Sequence, residues 1–242
     1  MKKSFKVLFI ISLLYLVTMI PQDAFAMHIM EGFLPKGWAI GWWVVSIPFM
    51  AISINKLQKL LKEHPDKKLL VALAGAFVFL LSSLKIPSVT GSCSHPTGVG
   101  LGAILFGPWV IVILGVIVLL FQATLLAHGG LTTLGANAFS MAIVGPFVAY
   151  AVFKLLKKAK VNTFVSVGIA AAAADLITYV VTSIQLGVAF PADNMMVQIG
   201  KYMTIFAFTQ VPIAIAEGIL TALIFERIAH YEGEGNLIEK VY

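Results

Sequence analysis

The chain has 242 residues, 60% of them hydrophobic and only 12% charged, with a mean hydropathy of +0.96. A soluble globular domain carries roughly 25% charged residues, so this composition argues against a water-soluble enzyme and for a polytopic membrane protein. The formal net charge of +6 lies in short basic clusters between apolar runs, the pattern of cytoplasmic loops and not of a nucleic-acid surface. The single cysteine, Cys93, excludes an intrachain disulfide or a multi-cysteine metal knuckle.

Residues 1–26 have the pattern of a cleavable signal peptide. Lys2, Lys3 and Lys6 precede an apolar run over 7–20, and the polar break Pro21-Gln22-Asp23 leads to Ala24-Phe25-Ala26, a small-residue cleavage site. Cleavage after Ala26 makes Met27 the first residue and His28 the second of a single domain over residues 27–242. Apolar segments follow at 38–54, 69–84, 97–127, 138–153, 163–188 and 203–225. Two connectors are basic, one with Lys56, Lys59, Lys62, Lys67 and Lys68, the other with Lys154, Lys157, Lys158 and Lys160, and the positive-inside rule puts both in the cytoplasm.

A chain that leaves the cytoplasm at Lys68 and is back by Lys154 crosses an even number of times, yet only three apolar segments lie between. The segment 97–127 is longer than the roughly 20 residues one span needs, and Gly107-Pro108 interrupts it where a helix kinks or stops. It is therefore divided into a short element over 99–106 and a full span over 109–127. The expected architecture is an all-α membrane protein, a polytopic bundle of about seven transmembrane helices after signal-peptide removal. Its amino terminus lies outside and its carboxyl terminus in the cytoplasm. The short element needs to be buried among other helices, because lipid cannot satisfy irregular backbone. The glycine-spaced acids Glu232, Glu234 and Glu239 read as a solvated tail.

This topology sorts the histidines by side. His28, His95 and His128 fall on the outer face, and His64 and His230 fall inside among charges. As the second residue of a mature chain, His28 offers an adjacent-ring chelate of terminal amine, its own backbone nitrogen and imidazole Nδ1. His95, within Gly91-Ser92-Cys93-Ser94-His95-Pro96-Thr97-Gly98, is the candidate for a fourth nitrogen. Four nitrogens in a tetragonal arrangement favour Ni(II) or Cu(II) over Mg or Ca, and Co(II) also suits the donors. His28 alone would be an ordinary residue after a cleavage site and His95 alone a loop histidine bonded to a carbonyl, so the hypothesis rests on their sharing a face. His128, followed by Gly129-Gly130 and then by Asn137, is placed outside the ligand set, orienting the loop or holding a ligand's other nitrogen. Cys93 could offer a thiolate or simply pack, and Met30 reads as packing.

Glu217 and Asp175 lie within apolar spans, where acids are functional candidates by default. Glu217 is open to a structural hydrogen bond, with Gln210, Gln122 or Asn137 as partners, or to a transport role. The alanine run Ala170 to Ala174 provides a small face, for helix packing within the bundle or for docking onto another membrane subunit. There is no phosphate-binding loop: the only Gly-Lys pair, Gly200-Lys201, is followed by Tyr202, so the chain has no ATPase of this type. Without H-E-x-x-H or a Ser/His nucleophile context, no enzyme is indicated.

Met27-His28-Ile29-Met30-Glu31-Gly32-Phe33-Leu34-Pro35 after a signal peptide resembles the start of the CbiM/NikM family. These are the substrate-binding (S) components of energy-coupling factor (ECF) cobalt and nickel transporters. Ser94-His95-Pro96-Thr97-Gly98, the stretch from Leu126 through His128 to Asn137, and Val144-Gly145-Pro146 are similar to the same family, and the likeness runs through the mature chain. It implies a bound Co(II), or Ni(II) in the nickel branch, as transported substrate with no resident cofactor. The implied ligands are the amine of Met27, the amide nitrogen and imidazole of His28, and His95; apart from the resemblance, His128, Asn137 and Cys93 are candidates for outer residues of that site. Met30-Glu31 looks like the cobalt branch, and so points to cobalt import for cobalamin synthesis. The implied partners are a CbiQ-like transmembrane coupling subunit, CbiO-like ATPases and a small CbiN-like membrane protein. The alternatives are a nickel-specific homologue, or a self-sufficient proton-coupled secondary transporter using Glu217 or Asp175.

Overall fold

The structure, a computed structural model, describes residues 28–87 and 93–232. The signal peptide expected over 1–26, Met27, and the acids Glu234 and Glu239 lie outside the described residues, as do the side chains of Cys93 and Glu232. Among the described residues the longer helices are, in chain order, α1 Lys36–Glu63, α2 Lys68–Ser82, α3 Val99–Phe106, α4 Pro108–Leu125, α5 Leu134–Lys158, α6 Thr163–Ala189 and α7 Met195–Glu232. Each apolar segment expected from the sequence lies largely within one of them, except 97–127, which is divided between α3 and α4. Among the described residues, five (α1, α4, α5, α6 and α7) are long and apolar enough to cross a membrane. The other two are shorter, α2 with 15 residues and α3 with 8.

The break at Gly107-Pro108 has the expected cause. Gly107 adopts φ +83°, in the left-handed region open to glycine, and Pro108 opens α4 at a position where its missing N–H costs nothing. The short α3 is enclosed: every residue from Val99 to Leu105 is buried. Its fit depends on the absence of side chains, since a Cβ on Gly100 would lie 2.8 Å from Cα of Ala171 on α6. The alanine run thus serves packing inside the bundle at Ala170, Ala171 and Ala174, all fully buried. Farther along, α6 and α7 meet at Gly168 and Gly218, where a Cβ on Gly218 would stand 2.5 Å from the Gly168 carbonyl oxygen. At the opposite side of the bundle α1 turns Ile40, Val44 and Ile47 outward, as a lipid-facing helix does.

Helix α5 is not uniform. Its stretch Ala138–Val144 is π-helical, with the i→i+5 register that is rare and concentrates at functional sites. Before α3 the chain makes a two-residue antiparallel ladder, Ile86–Pro87 against Cys93–Ser94, with Ile86 opposite Ser94. This ladder brings the chain back to the end of the bundle where residue 28 lies.

The start of α5 presses on α1 without a gap: a Cβ on Gly135 would meet N and Cα of Trp43 at 2.6 Å. Both contacts are backbone, so neither can rotate aside. Gly135→Ala is expected to lower the thermal midpoint of the purified protein by the equivalent of about 1–3 kcal/mol, the usual cost of overpacking. Gly41→Ala, at a helical glycine with nothing within 4 Å, is the control and should leave the midpoint unchanged or raise it.

Candidate metal centre

Three buried histidines meet at one end of the bundle: His28 before α1, His95 before α3 and His128 after α4. Their candidate ligand nitrogens all lie within 4.8 Å of one another. The His28 and His95 rings are stacked at 4.4 Å with 11° between their planes. His128 stands edge-on to both, at 81° and 71°. His28 Nδ1 faces His128 Nε2 at 2.7 Å.

Two separate supports hold this group. The first is the loop 128–133 with the start of α5. Asn137 accepts the Ile29 N–H at Oδ1 (2.8 Å) and donates from Nδ2 to the Ile29 carbonyl (3.0 Å), and Thr133 Oγ1 donates to the same carbonyl (2.6 Å). The residue after His28 is therefore clamped at both its backbone groups. Two residues further on, the Thr132 N–H donates to the Glu31 carboxylate at 3.1 Å, and the Gly32 N–H donates to Thr132 Oγ1 at 3.0 Å. Bonding from Thr132 holds the Glu31 carboxyl below its usual range.

The glycines after His128 make this docking possible. Gly129 has φ +78°, and a Cβ there would crowd Asn137 Nδ2 at 3.1 Å. A Cβ on Gly130 would stand 2.4 Å from Cα of Glu31. His128 itself is fixed by its N–H, which donates to the Gln122 carbonyl at 3.1 Å across the left-handed Ala127.

The second support is α7, which carries the His95 loop. Ser94 Oγ and Thr209 Oγ1 are 2.7 Å apart, and Gln210 Nε2 donates to the His95 carbonyl at 3.0 Å. The same Gln210 nitrogen also faces both carboxylate oxygens of Asp175, at 2.8 and 2.7 Å. Glu217 accepts three bonds from the loop: Thr97 N–H at 2.6 Å, Thr97 Oγ1 at 3.0 Å and Gly98 N–H at 2.8 Å. Helix α3 has no cap from its own Gly98, so this carboxylate sits where the helix dipole favours negative charge.

His28 and His95, the implied ligands, come together, and Met27 lies outside the described residues. Asn137 stands behind His28 through Ile29. The backbone of Cys93 pairs with Pro87, and its side chain lies outside the described residues. The partners suggested for Glu217 are corrected: it bonds Thr97 and Gly98, because the glycine-capped start of α3 offers backbone donors close by. Asp175, and not Glu217, pairs with Gln210. His128 meets Nδ1 of His28, whereas the other nitrogen, Nε2, lies 3.3 Å from Met141 Sδ in the π-helical stretch. Thr133 and Met141 are not singled out by the sequence, and Gln210 is named there only as a partner for Glu217. Asn137 and Met141 are four apart, a helical spacing that hints at a shared face only once α5 is known to start at Leu134.

The electrostatics suit neutral donors. Burial pushes the His95 imidazole down to about 4, against the smaller opposing effect of a hydrogen bond to Pro96. Burial, reinforced by His95 and Lys85, pushes His128 down to about 3. His28 lies well below its ordinary value, first from burial and then from His95, His128 and Lys85. At neutral pH all three rings hold lone pairs for a cation. His95 Nδ1 faces the Pro96 carbonyl at 3.0 Å, so Nδ1 carries the ring hydrogen. His95 Nε2 is then a buried lone pair, and it has no hydrogen-bond partner among the described residues. A buried acceptor left unpaired costs free energy, which coordination of a metal would recover.

Known proteins place this arrangement. Residues 28–234 match the CbiM family, described as the cobalt uptake substrate-specific transmembrane region. The chain is 60% identical over 223 residues to the cobalt transport protein CbiM of Chlorobium limicola, covering 91% of this chain and 88% of that one. It is 56% identical over 241 residues to the CbiM of Clostridioides difficile, covering 99% and 96%. Among solved structures it is similar to the crystal structure of a transition metal transporter, with TM-score 0.74 at 27% identity, covering 89% of this chain and 98% of that one. A truncated transition metal transporter superposes with TM-score 0.75 at 26% identity, covering 84% and 99%. With its apolar helices and the match running through nearly the whole chain, this multi-pass membrane protein belongs to the CbiM family of cobalt transporters.

Proposed function

We propose that the protein is the substrate-binding subunit of an ECF-type importer. It captures one Co(II) ion as cargo at the outer face and relies on partner subunits for ATP hydrolysis. The ion is held by the amine of Met27, exposed by cleavage after Ala26, by the amide nitrogen and Nδ1 of His28, and by Nε2 of His95. His128, Asn137 and Cys93 are the outer residues of the site in this reading, and the mature amino terminus is outside with the carboxyl terminus in the cytoplasm. The observation that carries the reading is the convergence of buried, neutral imidazoles, with His95 Nε2 left unpartnered among the described residues. Imidazole nitrogen suits late first-row divalent ions. The lack of a phosphate-binding loop supports ATPases on separate chains, CbiO-like, joined through a CbiQ-like coupling subunit with a CbiN-like auxiliary protein.

The test is metal affinity of the purified mature chain. His28→Ala, His95→Ala, and one extra residue before Met27 should each weaken Co(II) binding by more than the roughly 10- to 100-fold that loss of an outer partner costs. Asn137→Ala should fall within that range, because it removes the clamp on Ile29 and leaves every donor in place. Titration calorimetry on the variants checks both. Undiminished binding by the extended terminus would remove Met27 from the ligand set.

Stability of the metal-free protein should depend on pH in one direction. The folded imidazoles stay neutral, with His95 near 4 and His128 near 3, while the unfolded chain takes up protons below about 6.5. The unfolded state then binds more protons, so stability is fully present above that value and declines as pH falls from 6.5 toward 4. In thermal scans between pH 7 and 5, His128→Asn should show a shallower decline than the parent chain.

A further inference from the structure

We propose that His128 is a direct ligand of the transported ion, a fifth nitrogen that moves the site's preference from nickel toward cobalt. The inference rests on the metal-binding reading above and moves His128 from its outer residues into the ligand set, where it decides which ion is retained.

The ring nitrogens determine where an ion can bind. Met141 Sδ, at 3.3 Å from His28 Nε2, is only an acceptor, so Nε2 carries the ring hydrogen and Nδ1 keeps the lone pair. That lone pair is met at 2.7 Å by Nε2 of His128, which therefore points its N–H along the direction in which His28 Nδ1 would coordinate. An ion bound to His28 Nδ1 has to displace this hydrogen. Either His128 swings away, or its ring hydrogen moves to its own Nδ1 and Nε2 turns a lone pair to the ion. No proton leaves the ring in the second case.

Packing favours the second course. His128 is only 3% exposed, with its backbone fixed to the Gln122 carbonyl between the left-handed Ala127 and Gly129. Two nitrogens bound to one ion at about 2.1 Å lie about 3.0 Å apart when cis, so the 2.7 Å gap opens by about 0.3 Å while the two rings turn until both lone pairs meet at the ion. The His28 and His95 rings, now stacked, have to tilt apart to point at the same ion, while His128 is edge-on to both and approaches from a different direction.

The chemical consequence is selectivity. The amine, amide and two imidazoles of the metal-binding reading supply four nitrogens, an arrangement that as a square plane favours Ni(II) or Cu(II). Square-planar Ni(II) leaves its axial positions unbound and gains little from a fifth nitrogen. Co(II) gains a bond.

The experiment uses the full mature chain with its native terminus. X-ray absorption on the Co(II)-loaded parent should show five nitrogens with the outer-shell scattering of three imidazoles. His128→Asn should weaken Co(II) binding by more than the roughly 10- to 100-fold that loss of an outer partner costs, while Ni(II) affinity stays within about threefold. Its Ni(II) complex should be diamagnetic, as a square plane requires. Two imidazoles in the parent, or an unchanged Co(II)/Ni(II) affinity ratio in a His128→Asn chain that binds metal, overturns the inference and leaves the metal-binding reading standing. A parent chain that binds neither ion overturns both. Should His128→Asn fail to fold, the imidazole count in the parent decides alone.

Discussion

The carboxylate of Glu217 is the contact on which the geometry of the centre depends. A carboxylate buried on an apolar helix is costly unless donors surround it. Here two backbone N–H groups and a hydroxyl, all from Thr97 and Gly98, supply them. The benefit is mutual, since those N–H groups belong to the start of α3 and have no partner in their own helix. Through this contact the loop that presents His95 is fixed to α7 two residues beyond the histidine. Gln210 and Thr209 fix it again at the histidine and just before it.

The histidine cluster is therefore divided between two parts of the bundle. His95 is carried by α7, while His28 is carried by the loop and helix start that also hold His128. Pro212 lies in α7 between Gln210 and Glu217 and removes one hydrogen bond from the helix ladder there. Any displacement of α7 relative to α5 changes the distance between His95 and His28, because no covalent or hydrogen-bonded strap described here ties the two rings directly. A site that must capture a tightly coordinated ion and later give it up gains from such a division, since parting the supports breaks the coordination without unfolding either half.

Much of this was legible in the sequence, for identifiable reasons. Long apolar runs and Gly107-Pro108 report helix ends through hydropathy and backbone chemistry, which do not depend on tertiary context. The parity of crossings required the segment 97–127 to divide, and α3 and α4 divide it. His28 and His95 could be paired because donor chemistry and side assignment converge on them. The outer supports were not legible, because a hydrogen bond from Asn137 to the backbone of Ile29 leaves no trace in composition or period. Glu217 was visible as an intramembrane acid, yet its partners are backbone groups, and backbone is the same at every position. Gly130 looked like part of a turn, but what it provides is close approach of the Glu31 backbone, a fact about a segment about a hundred residues away.

Two buried acids lie behind a centre made of neutral rings. Asp175 and Glu217 are the buried acids of the spans, and each reaches the His95 loop by hydrogen bonds, Asp175 through Gln210 to the His95 carbonyl and Glu217 to the residues that follow. Their carboxylates are taken up by these hydrogen bonds, so the donors left facing the centre are nitrogens. Direct carboxylate ligation would add hard oxygen donors and open the site to magnesium and calcium.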